Sequence, residues 1–252
     1  MVLPTSVDDA GAPRSPRTLS QRIPLIFRRL HRFHQMDFEV AAWQLTYLCL
    51  APRRVYRNVY FHKQTKNTWA RDDPAILVLI AASLCVSAIA WGAVYSLGLM
   101  GTARLALLMV LRDYLLTGIL VATILWFTAN RLLLSPPSHS TPADACVEWA
   151  YAFDVHTNAF FPLFLALYLA QLLLLPILLR DNWVCMWVGN TLYLVGFAQY
   201  FYGIYLGLNA LPFLVRSELL LAPLLPLFGA YVVSLLGFNT AKHVLELYFR
   251  AT

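Results

Sequence analysis

Long apolar runs alternate with short polar breaks along most of the chain. Residues 75–97, 105–127, 159–179, 184–206 and 219–236 are each predominantly apolar. A helix needs roughly 20 such residues to cross about 30 Å of hydrocarbon. The pattern therefore predicts an all-α, polytopic membrane helical bundle of about five transmembrane helices. The first run has a defined start, because Asp73 can cap it and Pro74 suits the first helical position, where a missing N–H costs nothing. Pro223 and Pro226 are expected to kink the first half of the fifth run, which neighbouring helices tolerate. Between the second and third runs lies a connector, 131–158, that contains the breaker SPPSHSTP.

Ahead of the spans, DFEVAAWQLTYLCL (37–50) is apolar for only about 12 residues, too few to cross. Two readings fit it. One is an interfacial amphipathic helix with Trp43 and Tyr47 at headgroup depth. The other is a short helix packed under the bundle. Residues 1–22 are rich in Pro, Ser and Arg, which predicts a disordered tail. The chain thus divides into a tail (1–22), a basic interfacial region (23–73) and a five-span bundle (74–252).

Charge orients this bundle. Residues 1–74 hold 12 of the 19 Lys and Arg against 6 of the 13 Asp and Glu, and the remainder balances at 7 against 7. The N-terminal region therefore carries the whole net charge of +6, which predicts a cytoplasmic N-terminus. Five spans would place the C-terminal segment, with Lys242 and Arg250, on the opposite side. A four-span arrangement with a re-entrant last segment would not. With 60% apolar and 13% charged residues, against about 25% charged in soluble domains, a water-soluble core of this size is not expected. The first 20 residues lack an apolar signal core, so the first span is expected to serve as an internal signal. Cys49, Cys85, Cys146 and Cys185 show no CxxC or zinc spacing and predict no structural disulfide. No Asn-x-Ser/Thr sequon occurs.

Three groups of residues are candidates for chemistry. The first is the basic face of Arg28, Arg29, Arg32, Arg53, Arg54, Arg57, Lys63 and Lys66, interleaved with aromatic residues. Next to a bilayer such charges suit anionic lipid, at about 1 kcal/mol each. With Tyr56, Tyr60 and Trp69 as stacking platforms they also suit single-stranded RNA, and a docking protein fits as well. His31 and His34 read as part of this solvated face. The second group, Arg112 and Asp113, lies inside the second span, where ionisable groups mark either an ion or lipid path or a structural contact with another helix. Adjacent residues do not face each other on a helix, so each is expected to need its own partner. The third group is Asp154, His156 and Asn158 in the connector. Their alternation suits a metal site or general base on an extended segment, or a hydrogen-bonded cap for the third span. On a helix, Asp154 and Asn158 would share a face without His156. No metal or other cofactor is expected. Gly189, Gly196 and Gly203 recur every seven residues, and Gly203 and Gly207 form GxxxG, the mark of a close helix–helix seam.

Five segments carry a family resemblance: HQMDFEVAAWQ (34–44), PRRVYRNVYFHKQTKNTWARDDPA (52–75), VEWAYAFDVHTNAFFPL (147–163), VGNTLYLV (188–195) and LNALPFL (208–214). In this order they resemble the UNC-50 family of small multipass Golgi proteins over roughly residues 28–250. The resemblance implies five spans, a cytoplasmic N-terminus and a non-enzymatic role in vesicle traffic. For animal members that role is surface delivery of nicotinic acetylcholine receptors, with the receptor subunits as indirect cargo. For fungal members it is contact with ARF guanine-nucleotide exchange factors. The resemblance also implies an alternative, RNA binding at the inner nuclear membrane, and it brings no catalytic residue. A lipid or ion transporter built on Asp113 and the Asp154/His156 segment is a third reading of the residues. The chain lacks the inverted repeat or paired broken helices that transporters often show.

Overall fold

The computed structural model describes residues 36–57, 68–71, 73–136 and 145–250, excluding the Arg250 side chain. The expected disordered tail, Arg28, Arg29, Arg32, Lys63, Lys66, His31, His34, Tyr60 and most of the SPPSHSTP breaker lie outside these residues. Among the described residues the chain is helical, and its β pairing is limited to a bridge between Leu134 and Leu214. In order come α1 (Phe38–Leu50), a helical turn at 52–57, α2 (Ala75–Val94), α3 (Gly98–Leu133), α4 (Trp149–Leu173), α5 (Trp183–Asn209), α6 (Ser217–Ser234) and α7 (Thr240–Arg250).

The fold is an all-α polytopic bundle, and each of the five predicted runs falls in one of α2 to α6. Four of these, α2, α3, α4 and α6, are long and apolar enough to cross a membrane. Helix α5 has 27 residues, about 40 Å at 1.5 Å per residue, and contains no charged side chain. Its tyrosines, tryptophans, glycines and amides make it less apolar than the others.

Capping by nearby side chains sets several helix starts. Asp37 accepts from the Val40 N–H at 3.0 Å and opens α1. Asp73 accepts from the Ala75 N–H at 3.0 Å and from the Asp37 N–H at 2.9 Å, so one carboxylate serves the starts of both α1 and α2. Asn182 caps α5 through the Cys185 N–H at 2.8 Å. The first turns of α6, Ser217–Leu221, are 3₁₀ helix, and regular α-helix begins at Leu224, just past Pro223.

The second and third runs differ from the sequence expectation at both ends, the third at its far end because α4 stops at Leu173 and a separate helical turn, Leu175–Leu178, follows. Helix α3 runs for 36 residues and so overshoots 105–127 at both ends. Helix α4 starts at Trp149 rather than 159, which turns the end of the expected connector into helix. The physical reason is that Asp154, His156, Thr157 and Asn158 are all buried yet find hydrogen-bond partners within the bundle, so their polarity does not end the helix. A further element, α7, was not expected as a separate helix.

Helix α4 is central. It packs most extensively on α5 and α3 and also touches α1 and α2. The α4–α5 seam is built on small residues. A Cβ added at Gly203 would come within 3.2 Å of the Ala159 Cα, one at Gly196 within 3.2 Å of the Ala166 Cβ, and one at Gly207 within 2.7 Å of Val155. These glycines are therefore packing surface, as their spacing predicted. Helix α1 buries Ala41, Leu45 and Leu48 against α2 and α4 and leaves Val40, Trp43 and Leu50 exposed. It is packed on the bundle on one face and keeps an apolar outer face.

Candidate functional site

Residues 68–71 form a strap across the start of α4. The Glu148 carboxylate accepts from the Trp69 and Ala70 N–H groups, each at 3.4 Å. Asp154 accepts from the Arg71 N–H at 2.7 Å. One turn along, the Asn158 carbonyl oxygen accepts from the Arg71 guanidinium. The i, i+4 relation places both acceptors on one face, so a segment more than 80 residues away in sequence is held by backbone and side chain together. The expected grouping of Asp154, His156 and Asn158 is corrected here. They lie inside α4 and do not cap it, and His156 points elsewhere.

His156 sits between α3 and α5. Its Nδ1 lies 2.8 Å from the Tyr200 hydroxyl, and its ring is flanked by Phe153, Phe160 and Tyr114. Its Nε2 has no hydrogen-bond partner among the described residues. Gly118 on α3 makes room for the ring, because a Cβ there would stand 2.9 Å from Nε2. Among the described residues, no group of three or more His, Cys, Asp and Glu could hold a metal ion. All four cysteines are unpaired with one another.

The basic face survives in part among the described residues. In the turn at 52–57, Val55 and Tyr56 are buried while Arg53, Arg54 and Arg57 are exposed. Arg53 Nε donates to the Tyr202 hydroxyl on α5 at 3.0 Å, and the Arg54 guanidinium lies over the Tyr47 ring at 5.1 Å. A cleft of about 540 Å³ opens beside Arg53 and Arg57, with Tyr205 and Asn209 on its other wall. Tyr56 anchors the turn. Burial pushes its hydroxyl above the usual tyrosine value, while Arg71 and Asn158 pull it back and Asp154 adds to the rise. The hydroxyl lies near Asn158 but has no hydrogen-bond partner of ordinary geometry among the described residues. Base stacking by Tyr56 and Trp69 is not available in this arrangement. Both rings are buried, with Trp69 edge-on to Tyr151 and Phe213.

Arg112 and Asp113 do not need separate partners, contrary to expectation. Arg112 Nε lies 2.6 Å from Asp113 Oδ1. The pair stands in a widened, π-helical stretch of α3, Leu108–Leu116, where the long arginine side chain curls over its neighbour. The other Asp113 oxygen accepts from the Tyr168 hydroxyl of α4 at 3.0 Å and from the Tyr248 hydroxyl of α7 at 2.5 Å. The Arg112 guanidinium also lies 4.8 Å from the Tyr248 ring centre. The role of α7 in this cluster had no sequence signal, because an 11-residue segment gives no hint of which intramembrane group it will meet.

Comparison with known proteins gives one consistent result. The sequence model of the UNC-50 family matches residues 26–249. The chain is 48% identical to the human protein unc-50 homolog over 223 residues, covering 88% of this chain and 85% of that protein. The Dictyostelium discoideum protein unc-50 homolog is 41% identical over 242 residues, 95% of this chain and 92% of its own. The zebrafish protein unc-50 homolog (Danio rerio) is 44% identical over 219 residues, 85% and 83% of the two chains. No solved structure matches significantly.

Proposed function

Because this chain belongs to the UNC-50 family, we propose that it is a non-enzymatic membrane protein of the Golgi that supports vesicular traffic. It recruits ARF-exchange machinery through its cytoplasmic basic region and so promotes surface delivery of nicotinic acetylcholine receptors. The observation that carries this reading is the turn at 52–57. Arg53, Arg54 and Arg57 are exposed on a segment pinned by Val55 and Tyr56, beside a polar cleft. Three positive charges fixed on a rigid support give both an acidic protein surface and anionic lipid a defined place to dock. The membrane character itself rests on the four helices long and apolar enough to span.

The test is proximity labelling in intact cells from an N-terminal tag, with and without Arg53→Ala, Arg54→Ala and Arg57→Ala together. The reading expects exchange-factor and coat components among the labelled proteins and a several-fold loss in the triple variant, with Golgi residence unchanged. Equal labelling in both sinks it. A label set dominated by nuclear-envelope and RNA-binding proteins transfers support to the RNA alternative, which then needs a stacking surface other than Tyr56 and Trp69.

A further inference from the structure

Beneath α7 lies a cavity of about 380 Å³, bounded by the facing surfaces of α2, α3, α4 and α5. Helix α7 is held over it at both ends. Lys242 Nζ lies 2.8 Å from Asp181 in the α4–α5 turn. At the other end Phe249 stacks on Tyr95 with ring centres 3.9 Å apart, and Tyr248 reaches Asp113.

Three features set this space apart from loose packing. First, its wall is apolar and includes flat aromatic faces from Trp91, Tyr193, Phe197 and Phe249. Second, widened π-helical stretches border it on two helices. Leu108–Leu116 of α3 contributes Met109, and Leu165–Ala170 of α4 contributes Leu167 and Tyr168. Such stretches occur often at functional sites, since they turn side chains out of regular register. Third, Gln171 is 2% exposed yet its side chain bonds to a single group among the described residues. Its Nε2 donates to the Tyr193 hydroxyl at 3.1 Å, and that hydroxyl can donate back to Oε1 at 3.3 Å. A primary amide has two N–H donors and two lone pairs. At least one N–H and one lone pair therefore stay unspent on a buried side chain at the cavity wall, a costly arrangement in apolar surroundings unless something fills it.

Among the described residues no charged side chain lines the cavity, and Asp113 behind the wall is taken by Arg112, Tyr168 and Tyr248, so an ionic headgroup would find no counter-charge on the wall. The volume lies near the lower end of the usual range for small-molecule sites, about 300–1,000 Å³. That suits one compact hydrocarbon body better than a two-chain phospholipid.

We propose that this cavity binds a neutral, sterol-like lipid, with its ring system against the aromatic wall and its hydroxyl on Gln171 and Tyr193. The hydroxyl accepts from the spare Gln171 N–H or donates to the spare lone pair, and α7 covers the occupied site.

The experiment uses the purified full-length protein in phosphatidylcholine vesicles with a trace of diazirine-bearing cholesterol, photolysed and mapped by mass spectrometry. Labelled peptides should come from the cavity-facing parts of α4, α5 or α7, and unlabelled cholesterol should compete. Cholestane, the saturated parent hydrocarbon that lacks the hydroxyl, should compete about tenfold less well than its 3β-alcohol cholestanol, as a site with unspent hydrogen-bonding capacity discriminates. Gln171→Leu should erase that difference between competitors. Phe197→Trp, which fills the space, should cut labelling about tenfold. Size-exclusion and thermal unfolding profiles establish that each variant is folded, and if Phe197→Trp does not fold, the Gln171→Leu comparison decides. Equal competition by cholestane in the unmodified protein, labelling confined to the exposed face of α3, or a cavity that takes up only water overturns the proposal. None of these readouts involves the basic face or trafficking partners, so a negative result leaves the proposed function where it stood.

Discussion

Two carboxylates set into the neighbouring helices α3 and α4 are satisfied in opposite ways. Asp154 on α4 is 5% exposed and accepts from a backbone N–H of the strap, while Asn158 beside it takes the strap's guanidinium. Asp113 on α3 has a side chain that is 14% exposed and pairs with the adjacent arginine, whose own side chain is 39% exposed. Its remaining contacts are tyrosine hydroxyls from α4 and α7. The first arrangement fixes main chain and so fixes where the basic region leaves the bundle. The second fixes side chains and holds a covering helix in place. An acid inside an apolar bundle is therefore not in itself the sign of a transport path. What it grips decides what it does.

The sharpest way to break this contrast is to remove each acid in turn. Asp154→Ala strips acceptors from a buried network and leaves the Arg71 N–H unpaired, which should cost about 3 kcal/mol. It should appear as a large drop in the thermal midpoint of the detergent-solubilised protein. An unchanged midpoint would mean that the strap is not anchored there. A double-mutant cycle of Asn158→Ala with Arg71→Met, which removes both ends of the guanidinium contact, should show coupling of about 1–3 kcal/mol, as groups in one network do; simple additivity would separate them. Asp113→Ala should cost less, about 1–2 kcal/mol, because the long, part-exposed Arg112 side chain can snorkel towards the membrane face. Its signature should be faster backbone hydrogen exchange confined to α7. Uniform loosening of the bundle would refute the covering role. The smallest effect concerns Lys242. The hydrogen bond and charge of Asp181 raise its ammonium above the ordinary lysine value. A raised value means that the stabilising contribution is complete below the ordinary lysine pKa, about 10.4, and is lost as pH climbs through the raised one. Midpoints of the wild type and Lys242→Met should differ slightly at neutral pH and converge in strongly alkaline solution. A gap that widens with pH would reverse the assignment.

Much of this contrast was legible in the residues, and the unreadable parts have physical causes. The apolar runs marked α2 to α6 because bilayer thickness imposes a length that few other constraints mimic. Gly196, Gly203 and Gly207 marked the α4–α5 seam because close approach leaves no room for a Cβ, whereas Gly189 of the seven-residue recurrence lies against Ala241 of α7. The shared face of Asp154 and Asn158 followed from helical geometry alone. Their helix did not, because four polar residues in five positions, 154–158, look like a break until their partners are known, and Arg71 is 83 residues from Asp154. The Arg112–Asp113 pairing was missed because the rule that neighbours diverge on a helix takes no account of a widened turn or of the reach of an arginine. Helix α7 was missed because 11 residues with charges at Lys242 and Glu246 cannot span. Its contacts with Tyr95 and Asp113 are set by the fold around it.

The small-residue seam also bears on the order of assembly. Glycine and alanine have no side-chain rotamers to freeze. When Gly203 settles on Ala159 and Gly196 on Ala166, those contacts are reached with little loss of side-chain freedom. Helices α4 and α5 are neighbours in sequence, joined across the short turn after Leu173, so closing the loop between them costs little entropy. During synthesis this hairpin can therefore pair as soon as both helices have been made. The long-range strap and the covering helix then dock on a pair already formed.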